Sequence, residues 1–230
     1  MNISLLAINL APQALHAPDG FMSLPVAIAG YVISGAVIAY ATIKANKELG
    51  ERQVPLMGVM AAFIFAAQMI NFPVAGGTSG HFVGGALAAI LLGPWAAALV
   101  MTAVVGIQAL LFQDGGLVVL GVNIFNMAVA SCLVGYGTYA LMRTVIRNAN
   151  TARLVGGFIA AWLSVVVAAL LCAVELAVSG TSPLGVALPA MAGVHLLIGL
   201  VEALITVAAL SFIAATRKDL FDLRTAGRGG

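Results

Sequence analysis

Long apolar runs, free of charge, alternate along this chain with three short basic blocks. The runs cover 24–43, 54–73, 81–93, 95–112, 118–142, 154–177 and 189–215. They are rich in Ala, Leu, Val and Gly and show no two-residue alternation, so they read as helices and not as strands of a barrel. Most are long enough to cross a hydrocarbon layer of roughly 30 Å. The run 81–93 has thirteen residues, only about 20 Å as a helix. Gly93-Pro94 then separates it from 95–112. It reads as a short span, a half-helix or a re-entrant pair with its successor. The stretch from Pro73 to Gly80 before it is glycine-rich irregular backbone, tolerated at membrane depth where it lines a protein cavity.

Composition agrees. Of 230 residues, 62% are hydrophobic and 8% charged, against roughly 25% charged in a soluble domain. The expected fold is an all-α integral membrane protein of about seven transmembrane helices. A formal net charge of +2 gives no reason to expect a nucleic-acid partner.

The charges set the topology. The first basic block is Lys44, Lys47 and Arg52; the second is Arg143, Arg147 and Arg153; the third is Arg217, Lys218, Arg224 and Arg228. The positive-inside rule puts all three in the cytoplasm. Four crossings between the first and second blocks, and two between the second and third, satisfy that placement. One span precedes the first block, so the N-terminus lies outside and the C-terminus inside. The organisation is then 1–14 as a candidate leader, 15–216 as one polytopic membrane domain, and 217–230 as a cytoplasmic tail. Residues 1–14 read either as a secretory signal cleaved between Ala14 and Leu15 or as an uncleaved external tail.

In a bilayer the polar side chains are the informative ones. His16, Asp19, His81, Gln108, Asn123, Asn126 and Glu175 all fall toward the outer side. Asn123 and Asn126 lie three apart on one helix. His195 and Glu202 share a face of the last span, and a structural hydrogen-bond pair or contact with a partner helix is the plainer account of them. Cys132 and Cys172 lie inside apolar runs without ligand spacing and read as packing residues.

Neutral imidazole is a common transition-metal ligand, and His16 and His81 fall on the same side. If the chain begins at Leu15, its free amine, the deprotonated amide of His16 and the His16 imidazole can hold one ion in adjoining rings. His81 can supply a fourth nitrogen. A planar nitrogen set suits Ni(II) or Cu(II).

His16-Ala17-Pro18-Asp19-Gly20-Phe21 resembles the N-terminal segment of the CbiM/NikM family. These are substrate-capturing membrane components of energy-coupling-factor cobalt and nickel importers. Gly76-Gly77-Thr78-Ser79-Gly80-His81 with Gly84-Gly85, Leu92-Gly93-Pro94-Trp95, Gln108 to Phe112, Asp114-Gly115-Gly116, Asn123 to Met127, and Val194-His195 to Gly199 with Glu202 continue the resemblance in order. It implies capture of Ni(II) or Co(II) from outside by Leu15, His16 and His81. Asp19, Ser79, Gln108, Asn123 and Asn126 are candidates to support those ligands or gate the site. The family usually begins Met-His, whereas here Leu15-His16 follows fourteen residues, so the amine chelate depends on processing. The resemblance also implies residence in the plasma membrane, a membrane coupling protein, a pair of cytosolic ATPases and a small accessory membrane protein. The chain has no GxxxxGK[ST] phosphate loop of its own.

Two other functions compete. Gly77-Thr78-Ser79-Gly80 fits the GxSG pattern of rhomboid-like intramembrane serine proteases, with Ser79 as nucleophile and His195 as base. A passive channel or a purely structural subunit is the third reading, but no charged ring or repeated filter segment accompanies it.

Overall fold

In a computed structural model the described residues are 16–50, 53–69, 71–74 and 78–221, the side chains of 71–74 and 78–80 excepted. Seven helices follow in order: α1 (Leu24–Glu48), α2 (Gln53–Gln68), α3 (Gly85–Leu92), α4 (Pro94–Phe112), α5 (Leu120–Val145), α6 (Ala149–Val178) and α7 (Leu184–Thr216). Five of them, α1 and α4 to α7, are long and apolar enough to cross a membrane. The chain is a multi-pass α-helical membrane protein. Large apolar side chains such as Val32, Leu111, Val178 and Phe212 face outward, as lipid contact permits.

Two expected spans are shorter than the apolar runs that suggested them. The run 54–73 stops being helical at Gln68, and Asn71–Val74 forms a strand, β1. Pro73, which cannot donate to a helix or a central ladder, lies inside that strand. β1 pairs antiparallel with β2 (Thr78–His81), so that Asn71 stands opposite His81 and Pro73 opposite Ser79. The run 81–93 likewise gives up its first residues to β2, and α3 is left with eight. At about 12 Å that helix cannot cross a bilayer. Gly93, at φ +86 and ψ 162, ends it. A side chain is strained in that conformation, so the glycine permits the break before α4.

All eight residues of α3 are buried, and the longer helices pack around it. Small residues allow this. A Cβ on Gly135 of α5 would come within 2.7 Å of Ala86, and one on Gly85 within 2.0 Å of the Ser131 hydroxyl. The same economy joins α1 to α5: a Cβ on Gly121 would meet the Tyr31 backbone nitrogen at 2.4 Å. Ser34 Oγ donates to Gly121 O at 2.7 Å across that contact. In a membrane such close approach replaces the hydrophobic drive that water would supply.

The two ends of the bundle differ in chemistry. At one end, Lys44 lies over the Tyr40 ring, which packs edge-on against Trp95, and Arg153 lies over Phe221. Arg143 occupies the last turn of α5. At the other end, residues 16–23 pack against the α4–α5 connection and the α6–α7 turn. Ser179 Oγ reaches Met22 Sδ at 3.7 Å there, and Thr181 Oγ1 donates to Phe21 O. The described basic blocks and the His16 segment thus occupy opposite ends.

Candidate metal centre

The segment from His16 to Phe21 has no regular structure of its own, so its backbone groups need partners elsewhere. Phe21 N donates to Pro18 O at 3.3 Å, closing a turn with Gly20 at φ +88. Glycine at the third position suits a type II turn. Asp19 Oδ1 then accepts from Val118 N at 2.8 Å and Val119 N at 3.3 Å. The carboxylate therefore caps the start of α5 from a distant part of the chain, where the helix leaves amides unpaired.

Asn123 holds the segment one residue from the histidine. Its Oδ1 accepts from Ala17 N at 3.2 Å, and its Nδ2 donates to Ala17 O at 3.1 Å. Gly116 N donates to the same carbonyl at 3.0 Å. The two glycines of the α4–α5 connection leave room for this seat. A Cβ on Gly115 would come within 2.8 Å of His16 Cβ, and one on Gly116 within 2.0 Å of Asp19 Oδ1.

His16 is buried at 5% exposure. Its Nδ1 lies 3.1 Å from Asp114 O. A carbonyl only accepts, so Nδ1 carries the proton and Nε2 the lone pair. Nε2 is buried and has no hydrogen-bond partner among the described residues. An imidazole anchored through N–H to a backbone carbonyl, with its other nitrogen bare, is the usual posture of a metal ligand. Burial pushes its pKa below the ordinary 6.5, while the Asp114 carboxylate, 3.8 Å away, and carbonyl pull upward. The ring is neutral at pH 7 and able to bind a cation.

His81 ends β2. Its ring stands edge-on to His16 with centroids 4.9 Å apart and planes at 89°. Its Nδ1 faces Phe82 O at 2.9 Å, so its lone pair also falls on Nε2. The backbone after it is tied down by side chains: Val83 N donates to Glu202 Oε2 at 2.7 Å, Gly84 N to Glu202 Oε1 at 2.9 Å, and Gln68 Nε2 to Val83 O at 2.7 Å. No group of three or more His, Cys, Asp or Glu side chains gathers among the described residues. A transition metal held here needs more nitrogen than two imidazoles offer, and backbone nitrogen is the donor to hand. The donor set thus fits an ion that accepts amine and amide ligands. Leu15 lies outside the described residues.

The remaining candidates are placed as follows. Gln108 is fully buried, and neither amide atom has a hydrogen-bond partner among the described residues. Asn126 donates to Glu175 Oε2 at 2.6 Å, not toward the histidines. It sits in a π-helical turn, Phe125–Ala130, which changes the facing of α5 between it and Asn123. His195 Nδ1 lies 2.8 Å from Met191 O of its own helix, while Glu202 turns to the backbone after His81. Ser79 lies in β2, and its side chain is outside the described residues. Gln68, and the Asp114 carbonyl as a His16 anchor, carried no signal in the sequence.

Comparison with known proteins follows the same lines. The family described as the CbiM cobalt uptake substrate-specific transmembrane region matches residues 16–220. A protein of Archaeoglobus fulgidus, provisionally assigned as a fused nickel transport protein NikMN, is 44% identical over 214 residues, spanning 92% of this chain and 70% of its own. The cobalt transport protein CbiM 1 of Pelobacter propionicus is 35% identical over 228 residues, spanning 94% of this chain and 98% of its own. A crystal structure of a transition metal transporter superposes with a TM-score of 0.80 at 36% identity, covering 93% of this chain and all (100%) of that one. None of these relatives is a protease, and nothing in the likeness supports the Ser79–His195 reading. The chain belongs to the CbiM family of metal-uptake substrate-specific membrane proteins.

Proposed function

We propose that this chain is the substrate-capture subunit of an energy-coupling-factor importer for Ni(II) or Co(II). The ion is caught at the end of the bundle away from the basic blocks, which is the external face by the positive-inside rule. The observation that carries the reading is the juxtaposition of His16 and His81, rings 4.9 Å apart, with His16 Nε2 buried and bare.

The ligand set is the Leu15 amine, the His16 amide and imidazole, and the His81 imidazole. A chelate that includes the His16 amide closes its ring on Nδ1, since Nε2 lies too far from its own residue's amide. Nδ1 faces Asp114 O at 3.1 Å, so loading the ion gives up that hydrogen bond and turns the ring. One such bond contributes about 1 kcal/mol. Binding at micromolar levels supplies about 8 kcal/mol, so the exchange is favourable. Where Leu15 is not the first residue, the paired Nε2 atoms are the ligands that remain.

Release inward requires energy from outside this chain, which carries no phosphate-loop motif. A membrane coupling protein and a pair of cytosolic ATPases supply it, as the family membership leads us to expect. Mass spectrometry of the mature N-terminus, joined to calorimetric titration with Ni(II) and Co(II), tests the reading. A chain starting at Leu15 and micromolar or tighter binding are expected. Absence of binding by the processed protein would overturn it. Ser79→Ala leaves binding intact, and loss of a proteolytic activity in that variant would favour the enzyme instead.

A further inference from the structure

We propose that Glu202 and Gln68 are positioning residues that set His81 in place for the ion. The inference rests on the metal-capture reading above and names what holds its loop ligand. Between β2 and α3 lie Phe82, Val83 and Gly84, whose backbone belongs to no helix or strand. Both Glu202 carboxylate oxygens accept from this link, at Val83 N (2.7 Å) and Gly84 N (2.9 Å). Gln68 Nε2 donates to Val83 O at 2.7 Å. Two helices remote from each other in sequence, α7 and α2, thereby grip one peptide from opposite polarities.

The grip is rigid and dry. Glu202 is 1% exposed and Gln68 is 0% exposed. A carboxylate so deep in a membrane protein costs several kcal/mol unless its oxygens are fully bonded, and here each oxygen has an amide. The turn it holds is one only glycine takes easily: Gly84 has φ +83, and a Cβ there would meet Phe82 Cε1 at 2.8 Å and Ile64 side-chain atoms at 3.0 Å. Phe82, fixed between this turn and β2, offers its carbonyl to His81 Nδ1 at 2.9 Å. That bond sets both the tilt of the imidazole and the nitrogen that bears its lone pair. The path from Glu202 to the ligand is thus Val83 and Gly84, then Phe82 O, then the His81 ring. Glu202 touches neither the ion nor its ligands.

The test is a double-mutant cycle on the purified, processed protein, titrated with Ni(II) and followed by visible absorption. The variants are Glu202→Gln, His81→Ala and both together. Gln at 202 keeps one acceptor and sets an amide NH2 against the other backbone N–H. Glu202→Gln is expected to weaken Ni(II) binding by about 10–100-fold, to move the Ni(II) spectrum toward that of His81→Ala, and to cost nothing further when His81 is already Ala. Wild-type affinity and spectrum in Glu202→Gln, or a loss that adds fully to that of His81→Ala, would overturn the proposal. If Glu202→Gln does not accumulate folded, Gln68→Met runs the same cycle, with a several-fold loss expected and the same two results counting against it. A wild type that binds no Ni(II) or Co(II) would instead overturn the capture reading itself.

Discussion

His16 and His81 stand edge to face, ring centroids 4.9 Å apart, though one lies in an irregular N-terminal segment and the other ends a strand. Their approach gives the first prediction. His16→Ala and His81→Ala each remove a ligand and should weaken Ni(II) or Co(II) binding by more than about 100-fold, beyond the usual effect of supporting residues. Calorimetry on each variant checks this, and near-wild-type affinity in either would exclude that residue as a ligand.

The protonation of His16 gives a second. Burial holds its pKa below 6.5 in the folded protein, whereas an unfolded chain takes up this proton near pH 6.5. Below that pH the unfolded state binds more protons at this residue, so its contribution to stability, fully present above 6.5, is lost as pH falls through the folded pKa. The melting temperature of the metal-free protein should drop between pH 7 and 5, and that of His16→Asn should drop less. Equal slopes would remove His16 as the cause.

Crowding around the seat gives a third. Gly115 has φ +96, and a Cβ there would lie 2.8 Å from His16 Cβ and 3.1 Å from Asn123 Nδ2. Gly115→Ala should destabilise the metal-free protein by about 1–3 kcal/mol and weaken metal capture, because the strain falls on the ligand's own Cβ. Gly106→Ala, with open space around its Cβ position, is the control and should leave metal affinity unchanged.

Asn123 gives a fourth. Its side chain makes two hydrogen bonds to Ala17, each contributing about 1 kcal/mol. Asn123→Ala should cost about 2 kcal/mol of seating and release the N-terminal segment to limited proteolysis near Ala17, while added Ni(II) should restore part of the protection. Unchanged cleavage would show that the seat is held by other contacts.

Asp19 gives a fifth. Its carboxylate caps α5 at Val118 N and Val119 N. Asp19→Ala should cost about 1 kcal/mol of stability while lowering metal affinity less than His16→Ala does, since Asp19 touches the helix and not the ring. A loss of affinity equal to that of His16→Ala would make Asp19 a ligand.

Much of this was legible in the sequence because lipid is a strict solvent. A bilayer lets long apolar runs be read as helices, and the three basic blocks mark one end of the bundle. The pairing of His16 with His81 was also within reach, since both fall on the far side from those blocks. Hydropathy failed where backbone changed form inside an apolar run. Asn71–Val74 looks as greasy as the helix before it, and only Pro73 signals the strand. Long-range partners were invisible for a different reason. Glu202 and Val83 stand 119 residues apart in the chain, and the pattern on α7 suggests His195 as the partner of Glu202, because both lie on one face. Asp19 reads as a polar residue near a metal site, yet its work is at a helix start 99 residues away.

The π-helical turn at Phe125–Ala130 carries a consequence for how this chain can change over time. An α-helix advances about 100° per residue, and a π turn holds one residue more than the α-helical path would. Deleting a single residue there would straighten α5 and rotate Asn123 by about 100° relative to Ser131, which packs against Gly85. Either the clasp on Ala17 or the contact with the central short helix would then be lost. Single-residue deletions should therefore be purged from this turn even though side-chain substitutions of similar volume on its lipid-facing positions are tolerated.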